Sequence, residues 1–371
     1  MTLLGLIPES PFDPLSWSGS SANFFHALQD RGMLFDACEV SLGKGRDTLE
    51  KGRAFSLPMR RWKERYHASV HRFGALTRIA GGIIDKHHGA SGVLQIGAWF
   101  SAGAATTLPC FSYHDGNAAL WYRYYGRGLL SEGARRAHLQ WEQSVYTAMT
   151  GIFVMSEWLA ESFTRDFAIP RSKIHVVGAG INIDKLPQVP ERFWSTPRYL
   201  LVGKDFERKG GKYLLEAFKT VRKSIPDAEL IVVGPSLALE QPGVMCAGFL
   251  SKSTPADKTR LEQLFGSATA VVLPSIYEPF GISLLEGMAY GLPCVTVDRC
   301  AMPEIVRHGE TGLVAHAEDA ASLANSMIEL GRNPREAARM GAAGRRRVEG
   351  DYTWSAVTTK IKATLSGTYG I

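Results

Sequence analysis

VVLPSIYEPFGISLLEGMAYGLPCV, residues 271–295, opens on an uncharged run that reads as a buried strand, passes through a turn marked by Pro274 and Pro279, and enters a helix after Gly281. The helix is expected from about 283 to 290, where Gly291 and Pro293 stop it. Strand, turn and helix in that order are the repeating piece of a parallel sheet covered by helices. Glu278 sits in the turn and Glu286 one turn inside the helix, so both carboxylates can face one ligand at the helix N-terminus. Sugar and ribose hydroxyls are natural donors to carboxylates, and the backbone N–H groups of Phe280, Gly281 and Ile282 can receive other oxygens. A second reading of Glu286 stands beside this one. Ser283-Leu284-Leu285-Glu286 fits a capping box, in which the glutamate only closes the helix start.

The same alternation of apolar runs and amphipathic stretches extends through most of the 371 residues. Strands are expected at 3–7, 34–40, 93–96, 152–155 and 174–177, and in a second series at 200–202, 229–233, 270–273 and 294–297. Between the series, LPQVPERFWSTP at 186–197 holds three prolines and no helical period, and reads as a linker. The expectation is an α/β protein of two doubly wound, Rossmann-like domains. The first covers 1–190 and the second 197–352, with a last helix at 353–371 crossing back to the first. In such sheets ligands bind beyond the carboxyl ends of the strands, so a cleft there should hold the function.

Composition excludes several classes. Hydrophobic residues at 45% and charged residues at 21% are ordinary for a globular chain and unlike a disordered or fibrous one. Five scattered cysteines, without a C-x-x-C pair, suggest neither a disulfide framework nor a zinc cluster, and fit a reducing, cytoplasmic setting. The first residues, MTLLGLIPESPFD, lack a basic leader and read as a strand rather than a secretory signal. From His87 to His114 there is no Asp, Glu, Lys or Arg; interrupting Gly, Ser, Gln and Pro make this two buried strands rather than a membrane span. The net charge of +6 is concentrated, because residues 44–86 hold eleven Lys or Arg against four acids. Arg60, Arg61, Lys63 and Arg65 interleave there with aromatic rings, a pattern that suits an anionic membrane surface or a polyanionic acceptor as well as a plain solvated helix face.

A second constellation is YLLVGKDFERKGGKYLLEAF, residues 199–218. A strand ends at Gly203, a loop carries Lys204, Arg208 and Lys209, and Gly210-Gly211 opens an amphipathic helix. Cations beside a helix N-terminus are placed to hold a diphosphate, or else simply solvate the loop. In the N-terminal half, a turn with Gly19 follows the first strand, and CFSYHDGN sets His114 just beyond an apolar run.

E-P-F-G-x(4)-E followed by G-M-A-x-G-x-P-C-V resembles the E-x(7)-E signature of the retaining glycosyltransferases of family 4, which have the two-domain GT-B architecture. Weaker matches extend from Leu3 to Trp354, nearly the whole chain. The resemblance implies transfer of a sugar from a nucleotide-diphosphate donor, UDP- or GDP-linked, with retention of configuration. No cofactor is expected, and no divalent metal, because protein cations rather than a bound ion would neutralise the leaving diphosphate. Glu286 would grip the ribose, Lys209 with Lys204 or Arg208 would hold the diphosphate, and Glu278 with the Phe280 to Ile282 amides would place the donor sugar. Gly19 and Gly203 would lie against the donor, and His114 would orient sugar hydroxyls, so that Glu278, Lys209 and His114 form the catalytic set. The acceptor would be a carbohydrate or a lipid-linked glycan of the cell envelope, with the protein cytoplasmic or peripheral at the inner membrane face.

Absence of D-x-D and of any His or Cys cluster agrees with the metal-free expectation. Rival readings remain open. A nucleotide-dependent oxidoreductase would show G-x-G-x-x-G after the first strand, and none is there. A nucleotide-sugar-binding protein without turnover, or a transferase acting on a small metabolite or a polyanion, would keep most of these residues; a nucleic acid acceptor is disfavoured.

Overall fold

The computed structural model describes residues 1–183, 185–189, 196–234 and 240–370. The chain forms two compact units, Met1–Ala179 together with Val357–Ile371, and Gly180–Ala356. The linker expected at 186–197 falls partly on 190–195, outside the described residues.

In the first unit the strands are β1 (Leu3–Ile7), β2 (Leu34–Glu39), β3 (Gly92–Ile96), β4 (Cys110–His114), β5 (Gly151–Val154) and β6 (Ile174–Val176), and the helices are α1 (Ser20–Asp30), α2 (Lys44–Ala54), α3 (Met59–His67), α4 (Val70–Ile84), α5 (Ala118–Tyr124), α6 (Glu132–Ala148) and α7 (Glu157–Phe167). The strands form one parallel sheet in the order β2-β1-β3-β4-β5-β6. The uncharged run from His87 to His114 becomes β3 and β4, adjacent and buried at every residue, as continuous apolar sequence in a doubly covered sheet requires.

The second unit contains β7 (Arg198–Val202), β8 (Glu229–Val233), β9 (Val244–Gly248), β10 (Ala270–Leu273), β11 (Cys294–Val297) and β12 (Gly312–Ala315). Its helices are α8 (Gly211–Ser224), α9 (Pro255–Ser267), α10 (Ile282–Ala289), α11 (Met302–Ile305), α12 (Ala320–Arg332) and α13 (Pro334–Asp351). The sheet order is β12-β11-β10-β7-β8-β9, again all parallel. Counted within the unit, that is the 3-2-1-4-5-6 order of dinucleotide-binding sheets, with the order reversing between β7 and β10. Strands β9 and β12, absent from the sequence reading, are the two sheet edges, where short segments such as VMCAG and GLVA need no long apolar run.

The last helix, α14 (Trp354–Tyr369), joins the first unit from Val357 onward. Val357, Ile361 and Leu365 recur every four residues on one buried stripe. Thr358 Oγ1 accepts from Arg31 Nε at 2.7 Å, and the Tyr369 hydroxyl meets His175 Nε2 at 2.8 Å, so the stripe is pinned at both ends.

Candidate functional site

Loops that leave β7 and β10 flank the reversal of strand order in the second sheet, and they are knit together by one buried carboxylate. Glu278, in the turn after β10, accepts from Lys209 Nζ at 2.7 Å and from Ser275 Oγ at 3.3 Å, and Arg208 Nη1 lies 3.5 Å away. Glu278 is 7% exposed and Lys209 8%. Burial pushes the Glu278 carboxyl up, but the charges of Lys209 and Arg208, with hydrogen bonds from Lys209 and Ser275, outweigh it and hold the group below its ordinary value.

Local backbone explains why these residues meet. Gly210 takes φ +75° at the start of α8, and a Cβ there would collide with the Pro274 carbonyl, so glycine lets the β7 loop lie directly on the β10 loop. The Lys209 stem crosses the face of Gly203, which likewise has no room for a side chain. Arg208 Nη1 donates to the Tyr277 carbonyl at 2.7 Å, and the Ile276 N–H donates to the Arg208 carbonyl at 2.9 Å. The sequence left Lys204 and Arg208 as alternatives for the second cation. Arg208 is the one that joins Lys209, while exposed Lys204 lies over the Phe249 ring, 5.0 Å from its centroid.

Helix α10 is buried along its length. Its N-cap is Gly281, with no side-chain cap, and the Ser283 hydroxyl, inside the first turn, has no hydrogen-bond partner among the described residues. The capping-box reading of Glu286 is therefore overturned, because Ser283 is past the cap position. Glu286, 4% exposed, instead pairs with Lys252 from the loop after β9. Of the three amides expected to receive oxygens, Ile282 N–H is already donated to the Phe280 carbonyl at 2.9 Å. Those of Phe280 and Gly281 have no hydrogen bond among the described residues.

The remaining candidates lie in the first unit. Gly19 caps α1 at φ +88°, a left-handed conformation that suits glycine, and its carbonyl accepts from Asn23 Nδ2 at 2.8 Å. His114 is enclosed. As the last residue of β4 it follows Cys110 and Ser112 on one face of the strand and turns inward, 2% exposed, against Tyr146 and Phe163 at 5.2 and 5.3 Å. Burial lowers its imidazole to about 3, and Nε2 has no partner among the described residues. The neighbouring Asp115 accepts from Trp17 Nε1 at 3.3 Å, beside the turn that carries Gly19.

The basic segment folds into α2, α3 and α4. Arg61 and Lys63 are exposed, Arg60 lies over the Tyr125 ring at 4.5 Å, and Arg65 donates to the Phe55 carbonyl at 3.3 Å. Apolar side chains stand among them, with Phe55 61% and Leu57 73% exposed. Behind this face is a cavity of about 260 Å³ lined by Glu50, Arg53, Arg65, Ser69 and His71, which no motif announced. Glu50 is 2% exposed; its Oε1 accepts from Arg53 at 2.7 Å, and its Oε2 has no partner among the described residues. Among the described residues, no helix is long and apolar enough to cross a membrane.

Residues 182–347 match the family model described as "Glycosyl transferases group 1", a segment that includes Lys209, Glu278 and Glu286. A glycogen synthase from Mycobacterium tuberculosis is 30% identical over 217 residues, 56% of this chain and 52% of that protein. A phosphatidyl-myo-inositol mannosyltransferase from Mycobacterium leprae is 34% identical over 193 residues, 49% of this chain and 50% of that protein. The chain thus spans about half the length of the curated relatives it matches. Over 99% of this chain and 100% of the other, the structure resembles Anabaena HepE, solved in complex with UDP-glucose, with a TM-score of 0.69 at 14% identity. The shared fold is α/β, two-domain GT-B.

The ion pair at the centre of the site makes a stability prediction. A carboxyl held below its ordinary value stabilises the fold above about pH 4.3 and loses that contribution as pH falls through the lowered folded value. Lys209→Met should cost about 3 kcal/mol or more at pH 7, because it strands a buried charge, and Lys209→Met combined with Glu278→Gln should regain most of it. Urea unfolding at pH 7 and pH 4 checks both points: the single variant should lose its disadvantage at the lower pH. Equal stability of the single variant and the wild type at pH 7 would reject the pair as a structural element.

Proposed function

We propose that the protein is a hexosyltransferase that moves a sugar from a nucleotide-diphosphate donor to a carbohydrate or lipid-linked acceptor, with retention of configuration and without a divalent metal. The observation that carries the reading is the buried Lys209–Glu278–Arg208 group at the point where the order of the second sheet reverses. It holds two cations beside the N-terminus of α8, where negative charge grows on the departing diphosphate as the glycosidic bond breaks. Glu286 takes the ribose hydroxyls, and Glu278 with the Phe280 and Gly281 amides takes the donor sugar. Lys252, which pairs with Glu286, is displaced by or shared with the ribose. The match of residues 182–347, the glycogen synthase and mannosyltransferase relatives, and the UDP-glucose bound by HepE support this donor class.

For the acceptor, the cavity lined by Glu50 offers the unpaired Glu50 Oε2 to a hydroxyl and the lining cations Arg53 and Arg65 to an anionic group. Envelope glycolipid synthesis fits that chemistry, with α3 resting on an anionic membrane surface at the cytoplasmic face.

Thermal shift against UDP, GDP, ADP and their sugars tests the donor, since a ligand at 100 times its Kd stabilises by about 2.7 kcal/mol. Glu286→Gln should weaken donor binding by about 1.5 to 3 kcal/mol, the value of a hydrogen bond to a charged group, while the melting temperature of the free protein barely moves. Turnover should persist in EDTA, and proton NMR of the first product should show the donor's anomeric configuration; activity abolished by EDTA and restored by Mg2+ would reject the metal-free reading.

Acceptor use separates the other two assignments. Glu50→Gln should raise the acceptor KM about tenfold, a loss of about 1.4 kcal/mol that is ordinary for one hydrogen bond, with donor affinity unchanged. Replacing Arg60, Arg61, Lys63 and Arg65 by Gln should reduce sedimentation with anionic vesicles, and the wild-type binding should itself fall with salt. Vesicle binding equal in the two proteins would leave α3 as a solvated face.

A further inference from the structure

Three side chains apart from the site above meet at the edge of the first sheet. Asp36 and Cys38 stand two residues apart on β2, so the alternation of the strand sends both to the same side. His87, in the turn between α4 and β3, brings Nε2 to 3.2 Å from Asp36 Oδ2 and 3.6 Å from Cys38 Sγ. Sγ lies 4.0 Å from the same Oδ2. With His87 separated from its two neighbours by 49 and 51 residues, no spacing in the sequence announces the group. The sequence showed no His or Cys cluster, and the fold brings these three potential ligand atoms within 4.8 Å of one another.

The hydrogen positions narrow what this group can be. His87 Nδ1 is 2.7 Å from the Ile83 carbonyl oxygen, which only accepts, so Nδ1 carries a hydrogen and Nε2 is the nitrogen turned to the cluster. In a neutral imidazole Nε2 then presents a lone pair to a carboxylate oxygen that also only accepts. Two acceptors at that distance repel. The Cys38 thiol can donate to the same Oδ2 only at 4.0 Å, the long limit for a sulfur hydrogen bond, and this leaves the contact between Nε2 and Oδ2 unrelieved. A cation shared by all three uses every atom.

Distances favour the shared cation. Zinc bonds of about 2.3 Å to sulfur, 2.0 Å to nitrogen and 2.1 Å to oxygen at tetrahedral angles put nitrogen and oxygen about 3.4 Å apart and sulfur about 3.6 Å from each. The observed separations of 3.2, 3.6 and 4.0 Å lie close to those edges. Each nitrogen or oxygen donor is also braced from behind. The Ile83 carbonyl fixes the imidazole through its other nitrogen, the usual support of a metal-bound histidine, and the Ala37 N–H donates to Asp36 Oδ1 at 2.7 Å, leaving Oδ2 for the cluster.

We propose that Asp36, Cys38 and His87 bind a divalent ion of the zinc class, with thiolate, imidazole and carboxylate as three ligands and water on the exposed side as the fourth. A thiolate donor disfavours magnesium and calcium, which take oxygen ligands. On binding, the thiol proton passes to solvent and the sulfur–metal bond replaces it. The ion ties β2, which pairs with β1 on one side only, to the turn that leads into β3. Nothing in this assignment rests on the glycosyl-transfer reading, so each can fail alone.

Cobalt(II) is the probe. The full-length protein, stripped by chelation and kept reduced with a phosphine, is titrated with Co2+. Expected are one bound equivalent, a sulfur-to-cobalt charge-transfer band in the near ultraviolet, visible ligand-field bands, and bleaching of all of them by Zn2+. Cys38→Ser should abolish the charge-transfer band, and His87→Ala and Asp36→Asn should each weaken Zn2+ binding at least about tenfold, since even supporting residues of metal sites cost that much. Thermal shift by UDP should be the same in all four proteins. No charge-transfer band in the wild type, a band that survives Cys38→Ser and so comes from Cys110, Cys246, Cys294 or Cys300, or equal Zn2+ affinity in wild type and variants would overturn the proposal.

Discussion

A carboxylate shut away from water has to be met by charge, and in the second unit that requirement organises the site. Glu278 is held by Lys209, with Arg208 a little further off, and those partners come from the loop of a different strand. Neither loop can adopt its path without the other. Gly210 must pass against the Pro274 carbonyl for Lys209 to reach Glu278, and Arg208 returns a hydrogen bond to Tyr277, the residue before it. Breaking such a pair by removing one partner is costly because the other charge stays buried, so the two loops are held as a unit before any ligand arrives. The cations are thereby set in place in advance, which is the condition under which electrostatic stabilisation needs no reorganisation when charge develops.

Glu286 belongs to a different arrangement. It stands on α10, whose residues from Ser283 to Ala289 are all buried, so the backbone beneath it is fixed by packing on every side. Its partner Lys252 lies in a polar loop, its side chain 42% exposed. A buried carboxylate whose counterion is half in solvent differs from Glu278, whose partners Lys209 and Ser275 are themselves buried. The two glutamates of one short motif thus differ in what surrounds them.

Much of this was legible in the sequence, for identifiable reasons. Strands 3–7, 229–233, 270–273 and 294–297 agree with β1, β8, β10 and β11 to the residue, because strands covered on both faces are continuous apolar runs. Edge strands β9 and β12 carry weaker patterns and were missed. Glu278, Lys209 and Glu286 were visible because a turn and two helix starts bracket them, but Lys252 as a partner, and Glu50 with its cavity, depend on contacts between separate segments of the chain. His114 was named only through the family resemblance, since its place after an apolar run suits a buried histidine equally well, and strand alternation sets it on the inward face of β4.

That last result follows from the different topologies of the two sheets. The second sheet reverses between β7 and β10, and the first, ordered β2-β1-β3-β4-β5-β6, reverses between β1 and β3. Ligand crevices open where neighbouring connections leave to opposite sides, so in the first unit the crevice belongs to the loops after β1 and β3, where the turn carrying Trp17 and Gly19 lies. Strand β4 is one place removed. A residue at its end reaches that crevice only by extending sideways past the strand, as Asp115 does in accepting from Trp17, and a side chain on the inward face of β4, as His114 is, has Tyr146 and Phe163 for neighbours instead. Burial lowers the His114 imidazole to about 3, and its Nε2 is left without a partner among the described residues.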